Sequence, residues 1–328
     1  MTNRVLVTGA TGKVGSTALA ALLADPRFAT WQVRALTHNR DVASHSRLEA
    51  VKGSIADRAV VDMAMHGVTH VIHLATCKEI PEDVMDVTVK GLFWLLEAAR
   101  QQPGFKRFVL IGGDAGMGHF VYPHPVPVTE QQKWSAYPGC YALSKVLEEC
   151  MLEQYYIQYG FDGCCLRAPW IMEKDDFRYS QSFGEDVFGG PRWRDLVGAA
   201  KADTYLKANT SPVLCDKDGV AIKRGIVHVD DLVSAILIAL THPKATQQTF
   251  NITMNEPVDY RVVAEHLTRA RGMPSVDVVT PYCSTWLDNS KARFVLSWKP
   301  LIDQIGLVDR SYAFQRATGD PRKIYYPG

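Results

Sequence analysis

The sequence of 328 residues contains no uninterrupted apolar run of the roughly 18 residues that a transmembrane helix requires. It also lacks an excess of either charge, because 36 Lys and Arg stand against 35 Asp and Glu and the formal net charge is +1. Proteins that bind nucleic acid or anionic membranes usually carry a basic patch or stripe. The sequence therefore predicts neither nucleic acid nor membrane as a partner, and it favours small molecules.

Motifs for metal or disulfide chemistry are missing as well. The seven cysteines are an odd number without Cys-x-x-Cys spacing, and the histidines form no His-Glu-x-x-His motif. We therefore predict reduced, structural thiols and no metal site. The first residues pass directly into a strand-like run without the pattern of a signal peptide, which indicates a cytoplasmic protein.

What is present is the composition of a globular protein, with 47% hydrophobic and 22% charged residues. In the first half, short β-branched runs alternate with stretches of helical period, which predicts right-handed βαβ crossovers and a mostly parallel sheet with helices on both faces. After Pro169 the periodicity weakens, which indicates an inserted lobe. The predicted strands are Arg4-Thr8, Gln32-Thr37, His70-Ala75, Arg107-Gly112 and Gly163-Leu166, and the predicted helices are Lys13-Ala24, Arg58-Met65, Glu82-Arg100 and Tyr141-Tyr159.

A glycine-rich segment follows the first predicted strand and opens the first predicted helix. Gly9 permits a tight turn, Gly12 lets the backbone approach phosphates, and Gly15 lets helix and strand pack closely. The helix N-terminus adds free backbone N–H groups. This context favours a binding loop for a dinucleotide pyrophosphate, and an ordinary glycine-rich turn is the alternative. The expected contacts to the cofactor are Gly9, Thr11, Gly12, Lys13, Val14 and Gly15.

Spaced as GxxGxxG, this loop resembles that of the extended short-chain dehydrogenase/reductases of epimerase/dehydratase type. Four later segments agree in family order: Val68 to Ala75, Tyr141 to Lys145 as YxxxK, Leu166 to Pro169 as LRxP, and Ile226 to Asp231. The resemblance implies an α/β fold with a doubly wound parallel (Rossmann) sheet and a smaller C-terminal substrate lobe. Residues 1–169 plus 225–253 would form the dinucleotide-binding domain, and residues 170–224 plus 254–328 the lobe.

The YxxxK match supplies the expected catalytic pair. Residues four apart share a helix face, so Tyr141 and Lys145 would point at one ligand, and an ammonium near a phenol favours the phenolate. The resemblance implies that Tyr141 exchanges a proton with a substrate carbinol, while Lys145 also bonds the nicotinamide ribose. A surface pair on an amphipathic helix is the alternative.

Two positions depart from the family pattern. Gly113 stands where the family places a Ser or Thr that hydrogen-bonds the substrate oxygen, so Asp114, Ser135 or a water would have to orient that oxygen, or activity is altered or lost. Asp114 also matches the acid of sugar 4,6-dehydratases, and it is a candidate substrate contact or a cap of the glycine-rich turn. On the fourth helix, Thr88 replaces the family's Asn and keeps a hydroxyl.

The choice of nicotinamide depends on the end of the second strand. An acidic residue there would mark NAD, but Thr37 occupies the position, and His38 and Arg40 are available to a 2′-phosphate. We therefore expect NAD or NADP, with NADP favoured. Ser54 and Ile55 resemble the family's Asp-hydrophobe pair at the adenine. The remaining expected cofactor contacts are Leu74, Ala75, Thr76, Thr88, Gly112, Tyr141, Lys145 and Pro169.

The resemblance implies an NAD(P)-dependent oxidoreductase that transfers hydride at a carbinol of a sugar, nucleotide-sugar or sugar-acid-like substrate. Epimerase, dehydratase and dehydrogenase chemistry remain open. It also implies a homodimer formed through Glu82-Arg100 and Tyr141-Tyr159. The alternative is a non-catalytic NAD(P)-binding sensor of the same fold, which Gly113 favours and the Tyr141–Lys145 pair opposes.

Overall fold

The structure, a computed structural model, describes residues 2–185 and 192–320. Its strands are β1 Arg4–Val7, β2 Gln32–Thr37, β3 Leu48–Lys52, β4 His70–His73, β5 Arg107–Gly113, β6 Gly163–Ala168, β7 Trp170–Met172, β8 Ser211–Cys215, β9 Lys223–Arg224, β10 Ile226–His228, β11 Gln248–Asn251, β12 Val258–Asp259 and β13 Ser275–Val279. Its helices are α1 Lys13–Ala24, α2 Arg58–Met65, α3 Pro81–Val84, α4 Gly91–Gln101, α5 Cys140–Tyr159, α6 Asp176–Ser180, α7 Trp193–Val197, α8 Ala199–Lys207, α9 Val229–Ala239, α10 Tyr260–Arg271, α11 Ser290–Val295 and α12 Gln304–Ala313.

Seven parallel strands form the central sheet in the order β3-β2-β1-β4-β5-β6-β11. Successive β1 residues face opposite sides: Val5 and Val7 pack with α1 and α9, whereas Leu6 packs with α2, α4 and α5. Helices therefore cover both faces, and the predicted doubly wound α/β sheet is confirmed. The strand order reverses direction between β1 and β4, which is where such sheets open a crevice for ligands.

Three differences from the predicted elements concern the sheet and the helices beside it. The edge strand β3 was not predicted, because Glu49 and Lys52 interrupt its apolar pattern, as is common at sheet edges. The helix predicted over Glu82-Arg100 is interrupted by a π-helical segment, Met85–Lys90, between α3 and α4. Strand β10 lies outside the central sheet and pairs in parallel with β7.

The later segments build additional cores beside the sheet. Strand β8 pairs with β13 and β9 with β12. One core joins β7, β10, α6, α10 and α12, and a second joins α7, α8, β8 and β13 around Trp193 and Tyr260. Within the described ranges, we found no helix of the length and apolarity that crossing a membrane demands.

A buried ion pair fastens α5 to the sheet. The Arg167 guanidinium on β6 donates to both carboxylate oxygens of Glu149, with Nε–Oε1 3.1 Å and Nη2–Oε2 2.7 Å. Trp134 Nε1 donates to the same carboxylate at 3.0 Å. Glu149 is 6% exposed and Arg167 2%, so each charge depends on the other for solvation.

We expect Glu149→Ala to lower the free energy of unfolding by about 3–5 kcal/mol, because it leaves the Arg167 charge buried without its counter-ion. Urea titration followed by circular dichroism measures this change. Glu153→Ala, on the exposed side of the same helix, is the matched control and should stay within about 0.5 kcal/mol of wild type. Equal stability of the two variants would contradict the role given to the pair.

Candidate active site

A cavity of about 610 Å³ opens at the carboxyl ends of β1, β4 and β5. The structure brings all predicted site residues except Thr88 and Ser135 to its wall. These lining residues are Gly9, Thr11, Gly12, Lys13, Val14, Gly15, Thr37, His38, Arg40, Ser54, Ile55, Leu74, Ala75, Thr76, Gly112, Asp114, Tyr141, Lys145 and Pro169. Residues from distant parts of the sequence therefore share one crevice.

The glycine-rich loop has the geometry that a phosphate group needs. Gly9 has a φ of +62°, and a Cβ there would lie 2.8 Å from the backbone N of Ala75. Gly12 is the N-cap of α1, and no side chain among the described residues hydrogen-bonds the first turn in the manner of a cap. The first turn of α1 therefore lines the cavity without a side-chain cap, which fits a dinucleotide pyrophosphate.

The Lys13 side chain links this loop to the lobe. Lys13 is 3% exposed, and its Nζ forms an ion pair with the buried Asp176 of α6 and donates to the Ile171 carbonyl at 3.1 Å. Asp176 also accepts from the backbone N of Glu173 at 2.9 Å. Lys13 therefore belongs to the cavity wall, with its ammonium directed at the lobe.

Tyr141 and Lys145 lie on the first turns of α5, with Lys145 Nζ 5.7 Å from the centroid of the Tyr141 ring. The Lys145 ammonium donates to the Ile111 carbonyl at 3.3 Å and forms an ion pair with Glu148 Oε2 at 2.7 Å. Both Lys145 and Glu148 are buried. The two side chains that the YxxxK match singled out are thus together in the cavity.

A polar chain continues behind Lys145 into the sheet. Glu148 Oε1 lies 3.7 Å from His73 Nε2, and His73 Nδ1 lies 2.8 Å from Thr8 Oγ1. The Thr8 hydroxyl in turn accepts from the backbone N–H groups of Leu74 and Ala75 at 3.1 and 3.2 Å. The lysine is therefore held at the end of a chain of polar groups that runs beneath the cavity.

Charges around Tyr141 favour its ionised form. Burial opposes the phenolate, but Lys78 and Lys145 together with a hydrogen bond from Lys78 outweigh burial and lower the pKa of Tyr141. Burial likewise opposes the ammonium of Lys145, yet Glu148 and Tyr141 raise the pKa of Lys145 above its ordinary value. Lys145 therefore stays charged while Tyr141 is easier to ionise than a free tyrosine.

Gly113 lies beside the Tyr141 hydroxyl. An ideal Cβ at Gly113 would lie 3.9 Å from Tyr141 Oη and no closer than 3.8 Å to other atoms. The position expected of a Ser or Thr is thus spatially correct, but it carries no hydroxyl. Ser135 is not among the residues that line the cavity, and its hydroxyl donates to the Met117 carbonyl at 3.1 Å.

Asp114 is paired with a histidine that the sequence did not single out. Asp114 Oδ1 lies 2.7 Å from Nδ1 of His119, and both residues line the cavity. The His119 ring stacks on Tyr137, with centroids 5.0 Å apart. Asp114 is 4% exposed, and its carboxylate engages a neighbouring side chain.

Thr88 stands one layer behind the cavity. It is fully buried in the π-helical segment, and its Oγ1 accepts from the backbone N of Cys77 at 2.8 Å and lies 3.5 Å from Thr76 Oγ1. Its contacts therefore fix the loop that follows β4. A direct contact with the cofactor stays a prediction.

The end of the cavity near Trp170 consists of aromatic rings around one arginine. Arg224 is 3% exposed, and its Cζ lies 3.1 Å from the ring centroid of Trp170 and 4.1 Å from that of Phe120. Burial lowers the pKa of Arg224 to about 10, although Tyr260 and Asp114 oppose the shift. The Arg224 guanidinium hydrogen-bonds the Tyr260 side chain, but its Nη2 is buried and makes no well-aligned hydrogen bond among the described residues.

At the opposite end, Thr37, His38 and Arg40 lie beside Ser54 and Ile55, as the order of the strands requires. The Thr37 hydroxyl donates to the Val51 carbonyl of β3 at 3.5 Å. His38 and Arg40 are exposed at the rim. This end offers a basic group to an adenine ribose and no carboxylate from β2.

Sequence comparison places these features in a known group. The sequence model of the NAD dependent epimerase/dehydratase family matches residues 5–175. The chain belongs to this family.

Relatives in the family include epimerases and reductases. UDP-glucose 4-epimerase of Mycolicibacterium smegmatis is 28% identical over 320 residues, covering 91% of this chain and 94% of that protein. Dihydroflavonol 4-reductase of Hordeum vulgare is 28% identical over 268 residues, covering 74% and 68%. A short-chain dehydrogenase/reductase superfamily protein of Agrobacterium tumefaciens, solved with bound NAD, superimposes with a TM-score of 0.78 at 25% identity, covering 94% and 96%.

Sequence reasoning missed several residues of the cavity wall. Lys78, His119, Tyr137, Trp170, Arg224 and Tyr282 all line the cavity. Only two of these had a usable signal: Arg224 lies two residues before Ile226, where a segment that matches the family begins, and Lys78 follows Ala75 by three residues. The others come from loops without a pattern.

The two glycines at the end of β5 should respond oppositely to substitution. Gly113→Ala adds a Cβ that stays 3.8 Å or more from its neighbours at φ −151°, and it should leave stability unchanged or raise it by about 0.4–1 kcal/mol. Gly112→Ala places a Cβ 2.6 Å from Glu149 Oε1 and 2.7 Å from Cys165 Sγ, so it should destabilise by about 1–3 kcal/mol. Thermal unfolding of both variants checks this difference, and similar melting temperatures would contradict it.

Proposed function

We propose that the protein is an NAD(P)-dependent oxidoreductase of epimerase/dehydratase type that acts on a carbinol of a sugar, nucleotide-sugar or sugar-acid-like substrate. The observation that carries this proposal is the position of the Tyr141 hydroxyl and the Lys145 ammonium in the crevice beside the glycine-rich loop. We assign residues 1–169 plus 225–253 to the dinucleotide-binding domain and residues 170–224 plus 254–328 to the substrate lobe, of which residues 186–191 and 321–328 lie outside the described residues.

Tyr141 is the acid/base of the reaction. As phenolate it takes the proton of the substrate C–OH, and as phenol it returns a proton to the carbonyl. A bound nicotinamide would accept the hydride from the carbinol carbon and, in a closed cycle, return it to the substrate. Lys145 keeps its charge because Glu148 faces it, and that charge stabilises the phenolate.

Arg224 and the Asp114–His119 pair define the substrate end. The buried guanidinium has an unsatisfied Nη2 beside aromatic walls, so an anionic group of the substrate would complete its hydrogen bonds. Asp114 and His119, 2.7 Å apart, offer a second group for proton exchange or for contact with a substrate hydroxyl. An anionic sugar derivative fits this combination.

Two overall reactions use the same residues. An epimerase or dehydratase passes the hydride back within one turnover, whereas a dehydrogenase or reductase releases the changed cofactor. Both kinds of reaction occur in the names of relatives: UDP-glucose 4-epimerase is named as an epimerase, and dihydroflavonol 4-reductase is named as a reductase. Net accumulation of reduced nicotinamide during turnover excludes the closed cycle, and product without accumulation excludes simple dehydrogenation.

We expect Tyr141→Phe to lower turnover about 10²–10⁴-fold and to leave cofactor binding intact, because it removes only the acid/base oxygen. The assay incubates the protein with sugars, sugar acids and nucleotide sugars and follows product together with nicotinamide absorbance. Tyr159→Phe, on the same helix and 50% exposed, is the control and should match wild type.

The alternative function is a non-catalytic NAD(P)-binding sensor, and the absence of a hydroxyl at Gly113 favours it. A sensor predicts that wild type and Tyr141→Phe behave identically across the whole substrate panel while both bind cofactor. That outcome would replace the enzymatic proposal.

We propose NADP as the preferred cofactor, supported by Thr37 at the end of β2 and by Arg40 at the cavity rim. Arg40→Ser should weaken binding of NADP by about ten- to a hundredfold and change binding of NAD little, since only NADP carries the 2′-phosphate. Isothermal titration with both cofactors measures this. Arg293→Ser, an exposed position on α11, is the control, and equal loss for NAD and NADP would contradict the assignment.

We also propose a homodimer formed through the long helices. Exposed apolar side chains support it: Phe93 is 38% exposed on α4, and Leu143 and Ile157 are 51% and 69% exposed on α5. A cytoplasmic location, proposed from the sequence, is compatible with this assembly.

A further inference from the structure

The loop that follows β4 brings a second ammonium to Tyr141. Lys78 Nζ lies 3.8 Å from the centroid of the Tyr141 ring, whereas Lys145 Nζ lies 5.7 Å from it. Lys78 also hydrogen-bonds the Tyr141 side chain and lines the cavity. Two cations from two different elements therefore flank the reacting phenol.

The lysine of the YxxxK match is itself engaged by an anion. Glu148, fully buried, lies 2.7 Å from Lys145 Nζ, and its negative charge opposes ionisation of Tyr141. Gly113, next to the phenol, offers no hydroxyl. The Tyr141 phenolate therefore receives no hydrogen bond from a side chain at position 113. The ammonium of Lys145, its other partner, is shared with the Glu148 carboxylate.

The loop that carries Lys78 is anchored on both sides. Glu79 Oε2 accepts from the backbone N of Tyr141 at 3.2 Å and from Cys140 Sγ at 3.2 Å, at the start of α5. On the other side, Thr88 Oγ1 accepts from the backbone N of Cys77 at 2.8 Å. The position of Lys78 over the ring is therefore tied directly to the helix that carries Tyr141.

We propose that Lys78 is a second cationic partner of Tyr141, which donates a hydrogen bond to its hydroxyl and stabilises the phenolate in place of the hydroxyl absent at Gly113. This inference rests on the proposed acid/base role of Tyr141. The titratable groups that surround this phenol are Lys78 and Glu79 from the loop after β4, Asp114 and His119 after β5, Tyr137 before α5, and Lys145 and Glu148 on α5.

The test is a titration of the Tyr141 phenol that needs no substrate. Near-ultraviolet phenolate absorbance is recorded against pH for each protein and for the same protein carrying Tyr141→Phe, and the difference isolates Tyr141. Lys78→Met should raise the midpoint pH of Tyr141 ionisation, because it removes an adjacent cation that favours the phenolate. We expect the acid dissociation constant of the phenol to fall about tenfold or more. Lys78→Arg should keep the midpoint near that of wild type.

Two further variants serve as a positive and a negative control. Lys145→Met should also raise the midpoint, and Lys201→Met, which removes an exposed lysine of α8, should leave it unchanged. If Lys78→Met does not fold, Lys78→Gln supplies the neutral variant with the same expected rise. Cofactor binding is measured on every variant by nicotinamide fluorescence.

An unchanged midpoint in folded Lys78→Met or Lys78→Gln overturns the proposal. It does so also where cofactor binding is weaker, since Lys78 would then contact the cofactor without affecting ionisation of Tyr141. An equal rise in Lys78→Arg also overturns it, because charge would not be the cause. Full turnover by Tyr141→Phe is a separate failure, that of the proposed function, whatever the titration shows.

Discussion

The parallel pairing of β1 with β4 and of β4 with β5 is the constraint on which the site depends. Parallel strands end at the same edge, so the loops that follow them meet there, although Gly9, Lys78 and Gly113 are far apart in sequence. The loops approach so closely that a Cβ at Gly9 would lie 2.8 Å from the Ala75 backbone. A side chain at that position would push the β1 and β4 loops apart.

Two adjacent glutamates of α5 each pair with a buried positive charge, and the two ion pairs serve different purposes. Glu148 faces Lys145 and keeps the ammonium of the site charged, whereas Glu149 binds Arg167 and Trp134 and fastens the helix to β6. An unpaired charge at either place would be costly in the low-dielectric interior. The orientation of Tyr141 thus rests on a helix held at its neighbouring turns by ion pairs.

The two ends of the cavity are lined by different kinds of chemical group. The cofactor end uses glycines, a helix N-terminus and backbone groups, which suit a phosphate of any dinucleotide. The other end places Arg224 between the rings of Phe120 and Trp170, and we propose that it meets the substrate. Fold alone does not choose the substrate, so specificity depends on side chains such as these.

Local patterns alone determined the glycine-rich loop, the Tyr141–Lys145 spacing and the alternation that makes the sheet parallel, because each depends on residues adjacent in sequence or on one helix face. Those patterns did not predict the edge strand β3, which contains charged residues, or the π-helical segment around Thr88. Only the tertiary structure decided that Lys78 lies over the Tyr141 ring, that His119 faces Asp114 and that Arg224 is buried between aromatic rings. Such contacts join residues whose meeting depends on strand order and loop path, which no short-range periodicity encodes.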